Sequence, residues 1–126
     1  MKIALHGLSE HFPQIELLFQ ELGNHGFEVF ATEPIDRQLK MNGNKLLSYW
    51  VLESSEEMAE MDFIISIGGD GTLLDTVCVV GSHETPILGL NIGRMGFLAT
   101  VATDRIAEAI SYLAEGNFQI ESRSLL

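Results

Sequence analysis

Asp62-Phe63-Ile64-Ile65-Ser66-Ile67-Gly68-Gly69-Asp70-Gly71-Thr72-Leu73-Leu74 is the stretch that decides how the rest of the chain folds. Phe63 to Ile67 is a short, nearly continuous apolar run. Its length and β-branched content suit a strand buried on both faces, as in a parallel sheet. Three glycines around one carboxylate then stop the run, and Leu73, Leu74 and Val77 resume at helical spacing. Strand, glycine turn and helix together make a phosphate-holding geometry. Glycine lets the backbone take positive φ and a ligand come close, while unpaired N–H groups at the helix start point at the anion.

Asp70 needs its own explanation, because a carboxylate in such a turn repels phosphate. It makes sense facing a hydroxyl that is to be phosphorylated, which it would orient and deprotonate, or facing a metal ion bound to the phosphates. The plainer reading is a tight turn in which Asp70 hydrogen-bonds its own backbone. Five residues in this order, directly between a buried strand and a helix, favour chemistry over that alternative.

Working outward, Lys2 to Leu5 reads as a first strand ending at His6-Gly7. Pro13 opens a helix whose apolar face is Ile15, Leu18, Phe19 and Leu22, ended by Gly23 or Gly26. Phe27 to Ala31 is the second strand, and this βαβ unit makes the sheet parallel. Residues 32–60 are the least legible. Lys45 to Leu52 reads as a short helix or an irregular strand, with Tyr49 and Trp50 packing the connection onto the sheet, and Ser55 begins a short acidic, capped helix. Beyond the central motif come a helix over 73–80 and a strand over 87–90. That strand runs into Asn91-Ile92-Gly93-Arg94-Met95-Gly96-Phe97-Leu98, a second glycine-rich turn. Thr103 caps a last helix with Ile106, Ala109, Ile110 and Leu113 on one face, stopped by Gly116, and residues 118–123 alternate like a new strand. The expected fold is α/β, a Rossmann- or flavodoxin-like open, mostly parallel sheet with helices on both faces. Ligands of such sheets bind beyond the carboxyl ends of the strands, so the two turns can face one crevice.

At 126 residues the chain has the length of about one domain, with enough apolar content (46%) for a real core. A net charge of −11 and no Lys/Arg cluster argue against nucleic acid as a partner. One cysteine, Cys78, reads as a small buried hydrophobe and makes no internal disulfide. The histidines His6, His11, His25 and His83 lie in loops or at element ends without metal-ligand spacing, although His6 and His11 could approach the crevice. No signal peptide pattern and no stretch of transmembrane length are present, so a soluble, cytoplasmic protein with no membrane partner is expected.

Gly68-Gly69-Asp70-Gly71-Thr72, followed by Asn91 to Leu98, resembles the paired signature of NAD kinases. The first motif is shared with diacylglycerol, sphingosine and phosphofructokinase-type kinases; the second, at this distance, is much more specific. The resemblance runs from the opening strand to Glu121-Ser122-Arg123, where that family passes into a second, mostly β domain. It implies transfer of the γ-phosphoryl group of ATP (or polyphosphate) to the adenosine-ribose 2′-hydroxyl of NAD, with a divalent cation, usually Mg²⁺, offsetting charge. Asp70 would be the catalytic acid. Gly68, Gly69, Gly71 and Thr72 would form the turn that contacts NAD and phosphate. Asn91, Gly93 and Gly96 would shape the second turn, and Phe97 and Leu98 would line the adenine side, their alternative being simple core packing. No residue is assigned to metal. Asp75 stands where many members carry a basic residue. Residues 1–120 are thus expected to be the amino-terminal domain and 121–126 the start of a connection to a carboxyl-terminal domain that supplies much of the NAD pocket. This chain alone would then be inactive, and the full protein a homo-oligomer. Two other readings stay open: another Gly-Gly-Asp-Gly-Thr kinase of the lipid type, and a non-enzymatic α/β binding module.

Overall fold

The computed structural model of the protein describes residues 1–7, 12–41, 48–68, 70–91, 101–102 and 106–116. Strand β1 (Lys2–Gly7) is buried from Ile3 onward and leads to helix α1 (Phe12–Asn24). Strand β2 (Glu28–Ala31) then pairs with β1 in parallel, Ile3 beside Val29 and Leu5 beside Ala31. Pro13 falls in the first turn of α1, where its missing N–H has no acceptor to lose.

Helix α2 (Glu33–Met41) fills part of the stretch that the sequence leaves illegible. Pro34 looks like punctuation but sits in the first turn of a helix. Ile35 and Leu39, one turn apart, are fully buried beneath an otherwise polar surface. Strand β3 (Trp50–Val51) is two residues long and forms the edge of the sheet beside β2. Of the 45–52 alternatives, Trp50 and Val51 are strand; residues 45–47 lie outside the described residues. Tyr49 packs on the core, its ring 5.7 Å from that of Phe19. Trp50 does not pack as expected: on the edge strand it is 67% exposed, and among the described residues no layer covers it. The acidic segment Ser55–Glu60 is a 3₁₀ helix, and Ser54 before it makes no side-chain cap.

Strand β4 (Phe63–Ile67) is buried at all five positions, as its apolar run predicts. It pairs in parallel with β1 on one side and with β5 (Ile87–Asn91) on the other. Helix α3 (Asp70–Val80) joins the two, and begins at the Asp of the motif rather than at Leu73. Strand β6 (Val101–Ala102), not anticipated from the sequence, pairs with the end of β5. Helix α4 (Ile106–Glu115) closes the described chain at Gly116, whose φ of 71° is the left-handed stop expected there. The expected strand at 118–123 and the Thr103 cap lie outside the described residues.

All five ladders are parallel, and the strand order is β3-β2-β1-β4-β5-β6. Alternation along the strands sends side chains to two cores. Ile3, Leu5, Val29, Ala31, Phe63 and Ile65 meet α1, α2 and α4 through Leu18, Leu22, Ile35, Leu39, Ile110 and Leu113. Ala4 and Ile64 meet Met58, Met61 and Val80 on the opposite face. Helices therefore cover both faces, as the sequence predicts. Among the described residues no helix is long and apolar enough to cross a membrane.

Cys78 corrects the sequence reading, since it is exposed. Helix α3 is apolar nearly all round, so its composition does not reveal which face packs. The buried stripe runs through Thr76 and Val80, and Leu74, one turn before Cys78, is 46% exposed.

Candidate functional site

In the order β3-β2-β1-β4-β5-β6 the chain builds outward from β1 in one direction and outward from β4 in the other. This is the order of the dinucleotide-binding sheet, and its crevice lies outside the carboxyl ends of the two central strands, where the direction reverses. Here those ends are His6-Gly7 on β1 and Ile67-Gly68 on β4, with Gly7 paired to Ile67.

Two glycines allow the ends to meet so closely. Gly7 has φ 125°, and a methyl group on it would overlap the carbonyl oxygen of Ile67 and lie 2.9 Å from Thr72 Cγ2. Gly68 has φ 143°, and a methyl group there would stand 2.5 Å from Thr72 Oγ1. Both φ values lie where only glycine is comfortable. The Gly68 N–H donates to the Leu90 carbonyl at 3.0 Å, drawing the end of β5 to the same edge.

An open cleft of about 210 Å³ lies at this edge, lined by His6, Gly7, Pro34, Gly71, Thr72 and Asp75. Asp70, Gly71 and Thr72 form the first turn of α3. The first N–H groups of a helix have no partner within it, and with the helix dipole they favour an anion at this end. The turn is held from below. The buried Thr76 hydroxyl lies 2.8 Å from the Thr72 carbonyl and 2.9 Å from Ser66 Oγ on β4. It has one proton, so donation to the carbonyl leaves the Ser66 hydroxyl to donate to Thr76 Oγ1. The pair ties helix to strand with both hydroxyls satisfied.

The other wall is built on His6. Its ring is buried, with Nδ1 2.7 Å from Thr32 Oγ1 and Nε2 2.6 Å from Asp75 Oδ2. An ionised carboxylate can only accept, so the Nε2 proton faces Asp75, and the Thr32 hydroxyl can serve Nδ1 as donor or acceptor. Behind this wall α2 is anchored by Asp36. The carboxylate accepts from Tyr49 Oη at 2.7 Å and from Lys40 Nζ at 3.0 Å. The Tyr49 hydrogen bond, opposed by burial and aided by Lys40, holds Asp36 below the usual carboxylate range. Burial, and then the Asp36 carboxylate, push Tyr49 up to about 12.

Of the residues singled out in the sequence, Gly71 and Thr72 line the cleft, Gly68 lies against Thr72, and Asp70 opens α3 with its side chain outside the described set. Asn91 ends β5 opposite Ala102, and its side chain is likewise outside. Gly69, Phe97 and Leu98 lie outside the described residues, as do Gly93, Gly96 and His11. The sequence does not assign Pro34, Thr32 or Asp75 to the site, and it offers His6 only as a residue that could approach it. One signal was available: Asp75 follows Gly71 by four residues and so shares its helix face. Nothing local marks Thr32, which reaches His6 across 26 residues of sequence.

The family model of the ATP-NAD kinase N-terminal domain matches residues 10–118. The chain belongs to the NAD kinase family. Along its full length it is 38% identical to an NAD kinase of Bacteroides fragilis and 28% identical to that of Cytophaga hutchinsonii, covering 44% of each. A stretch of 67 residues, 53% of this chain and 24% of the relative, is 46% identical to the NAD kinase of Methanopyrus kandleri. The NAD kinase resemblance carried by the two glycine motifs is thus borne out. The chain spans less than half the length of the full NAD kinases that it matches end to end.

Proposed function

We propose that this chain is the amino-terminal domain of an enzyme that phosphorylates the adenosine-ribose 2′-hydroxyl of NAD with ATP or polyphosphate, giving NADP. The observation that carries the reading is a strand, glycine turn and helix at the central crevice of the sheet, within a chain that matches the family over residues 10–118. In this proposal Asp70 orients the acceptor hydroxyl and takes its proton as the oxygen attacks the γ-phosphorus; the bond to the bridging oxygen breaks and ADP leaves. The N–H groups of Gly71 and Thr72 receive phosphate oxygens, and Gly68 and Gly69 let the ligand approach. Asn91, Phe97 and Leu98 serve the acceptor side, the last two at the adenine.

A divalent cation, Mg²⁺ in the first instance, enters as the counter-ion of the donor's phosphates, where it offsets charge on the transferring group. Among the described residues no group of three or more His, Cys, Asp or Glu side chains could hold a metal ion. No residue of this chain is assigned to the cation here, and no step is routed through it.

A carboxyl-terminal domain would supply the rest of the NAD pocket and the contacts of a homo-oligomer, and the setting would be the cytoplasm. The test is NADP formation from NAD, ATP and Mg²⁺ by the full-length protein and by this chain alone. Turnover by the full protein only is the expected result, with kcat falling about 10²–10⁴-fold for Asp70→Asn at unchanged thermal stability. Absence of NADP from the full protein, or undiminished turnover by Asp70→Asn, would overturn it.

A further inference from the structure

His6 is 5% exposed and spends both ring nitrogens on neighbours. Were both partners neutral, it would be a satisfied packing residue and nothing more. One of them is instead the carboxylate of Asp75, whose side chain is 65% exposed and lines the cleft beside Gly71 and Thr72. A bare carboxylate one helical turn from unpaired N–H groups repels the same anion that those groups attract. The contact with His6 answers this conflict. The Nε2–H, 2.6 Å from Oδ2, offsets part of the carboxylate charge and fixes its rotamer. The ring cannot swing away, because Thr32 holds its far side and is itself locked. The Thr32 N–H donates to the Leu5 carbonyl and its carbonyl accepts from the Asp36 N–H, both at 3.0 Å.

We propose that His6 is a positioning residue for phosphate: it holds Asp75 and offsets its charge, so that the first turn of α3 can accept an anionic phosphoryl group of a nucleotide. The assignment rests on the nucleotide-binding reading given above. It makes His6 and Asp75 a single unit spanning the switch point, with the histidine on β1 and the acid on α3.

Two measurements test it. In the full-length enzyme His6→Asn should raise the KM for ATP about tenfold with kcat within about threefold, and adding Asp75→Asn should bring KM back to within about threefold of the parent. A purely structural His6 predicts no rescue, and a double variant as impaired as His6→Asn overturns the proposal. The second measurement needs no variant and no activity. The full-length protein, labelled with ¹⁵N in its histidine rings, is titrated with ADP and with inorganic pyrophosphate. The His6 ring signals should move saturably, while those of His25 and His83, which do not line the cleft, stay put. A motionless His6 overturns the assignment, and also decides it should His6→Asn fail to fold. If the full-length protein makes no NADP while His6 responds to pyrophosphate, the kinase reading falls and the phosphate-positioning role stands.

Discussion

Gly7→Ala should be far more damaging than its single added methyl group suggests. Two costs combine at this position. The φ of 125° is foreign to alanine, a strain of about 1–3 kcal/mol. The methyl would also overlap the backbone carbonyl of Ile67, which has no rotamer to turn aside, so the ends of β1 and β4 must part. Overpacking of this kind costs about 1–3 kcal/mol. Their sum, about 2–6 kcal/mol, is a large share of the roughly 5–15 kcal/mol that stabilises a domain. Two other glycines separate the terms. Gly26 has φ 75° but open space around a Cβ, so Gly26→Ala carries strain without overlap, about 1–2 kcal/mol. Gly23 lies inside α1 with nothing within 4 Å and no unusual φ, so Gly23→Ala should stabilise by about 0.5–1 kcal/mol. Urea denaturation followed by circular dichroism gives the four stabilities, provided that the slopes agree. The expected order is Gly23→Ala, parent, Gly26→Ala, Gly7→Ala. A Gly7→Ala protein as stable as Gly26→Ala would refute the reasoning, because it would mean that the two strand ends do not approach as closely as described.

Tyr49→Phe should cost about 1–2 kcal/mol near neutral pH by removing a hydrogen bond to a carboxylate. The pH dependence has a definite sign. Asp36 is lowered in the fold, so its share of stability is present above its ordinary 3.8 and lost as pH falls through the folded value. Tyr49 is raised, so its share is present below 10.0 and lost as pH rises toward about 12. The parent's advantage over Tyr49→Phe in thermal melts should therefore shrink at both extremes; a gap constant from pH 3 to pH 11 would contradict the assigned partners. Thr76→Val should cost about 1–3 kcal/mol in urea titrations by stranding the buried Ser66 hydroxyl, and adding Ser66→Ala should recover part of that loss. Additive losses would show that the two hydroxyls are not coupled.

What could be read from the sequence depended on whether a signal was local. Phe63 to Ile67 announces a doubly buried strand because the parallel sheet makes every position apolar, and all five positions are buried. The α1 face declares itself by spacing, and Gly116 by its position after the last apolar residue of α4. Helix α2 is hidden in the sequence because its packing rests on two residues, Ile35 and Leu39, in a polar segment headed by a proline. Cys78 and Trp50 depart from the sequence expectation for a shared reason. An apolar side chain shows only that it prefers burial, and whether a layer exists to bury it depends on elements elsewhere in the chain. The same holds for the site. The glycine motif is contiguous and stands out in the sequence, whereas the His6–Asp75 contact joins residues 69 apart and exists only once the sheet has been assembled.

The central pairing of β1 with β4 has a consequence for how the molecule is made. Ile3 lies beside Phe63, and the Lys2 carbonyl accepts from the Asp62 N–H at 2.8 Å, so this ladder closes a loop of some sixty residues. The flanking β1-α1-β2 and β4-α3-β5 units each close over half that distance or less. Loop entropy must be spent before a distant pairing returns anything, and topologies dominated by such pairings fold slowly. The two units can therefore gain structure as halves, each carrying one wall of the cleft, and remain incompetent until they dock. On a ribosome, β1 must wait for some sixty further residues to emerge before its central partner is available. A lesion at this seam would show itself first as slow or incomplete maturation, with binding lost before secondary structure.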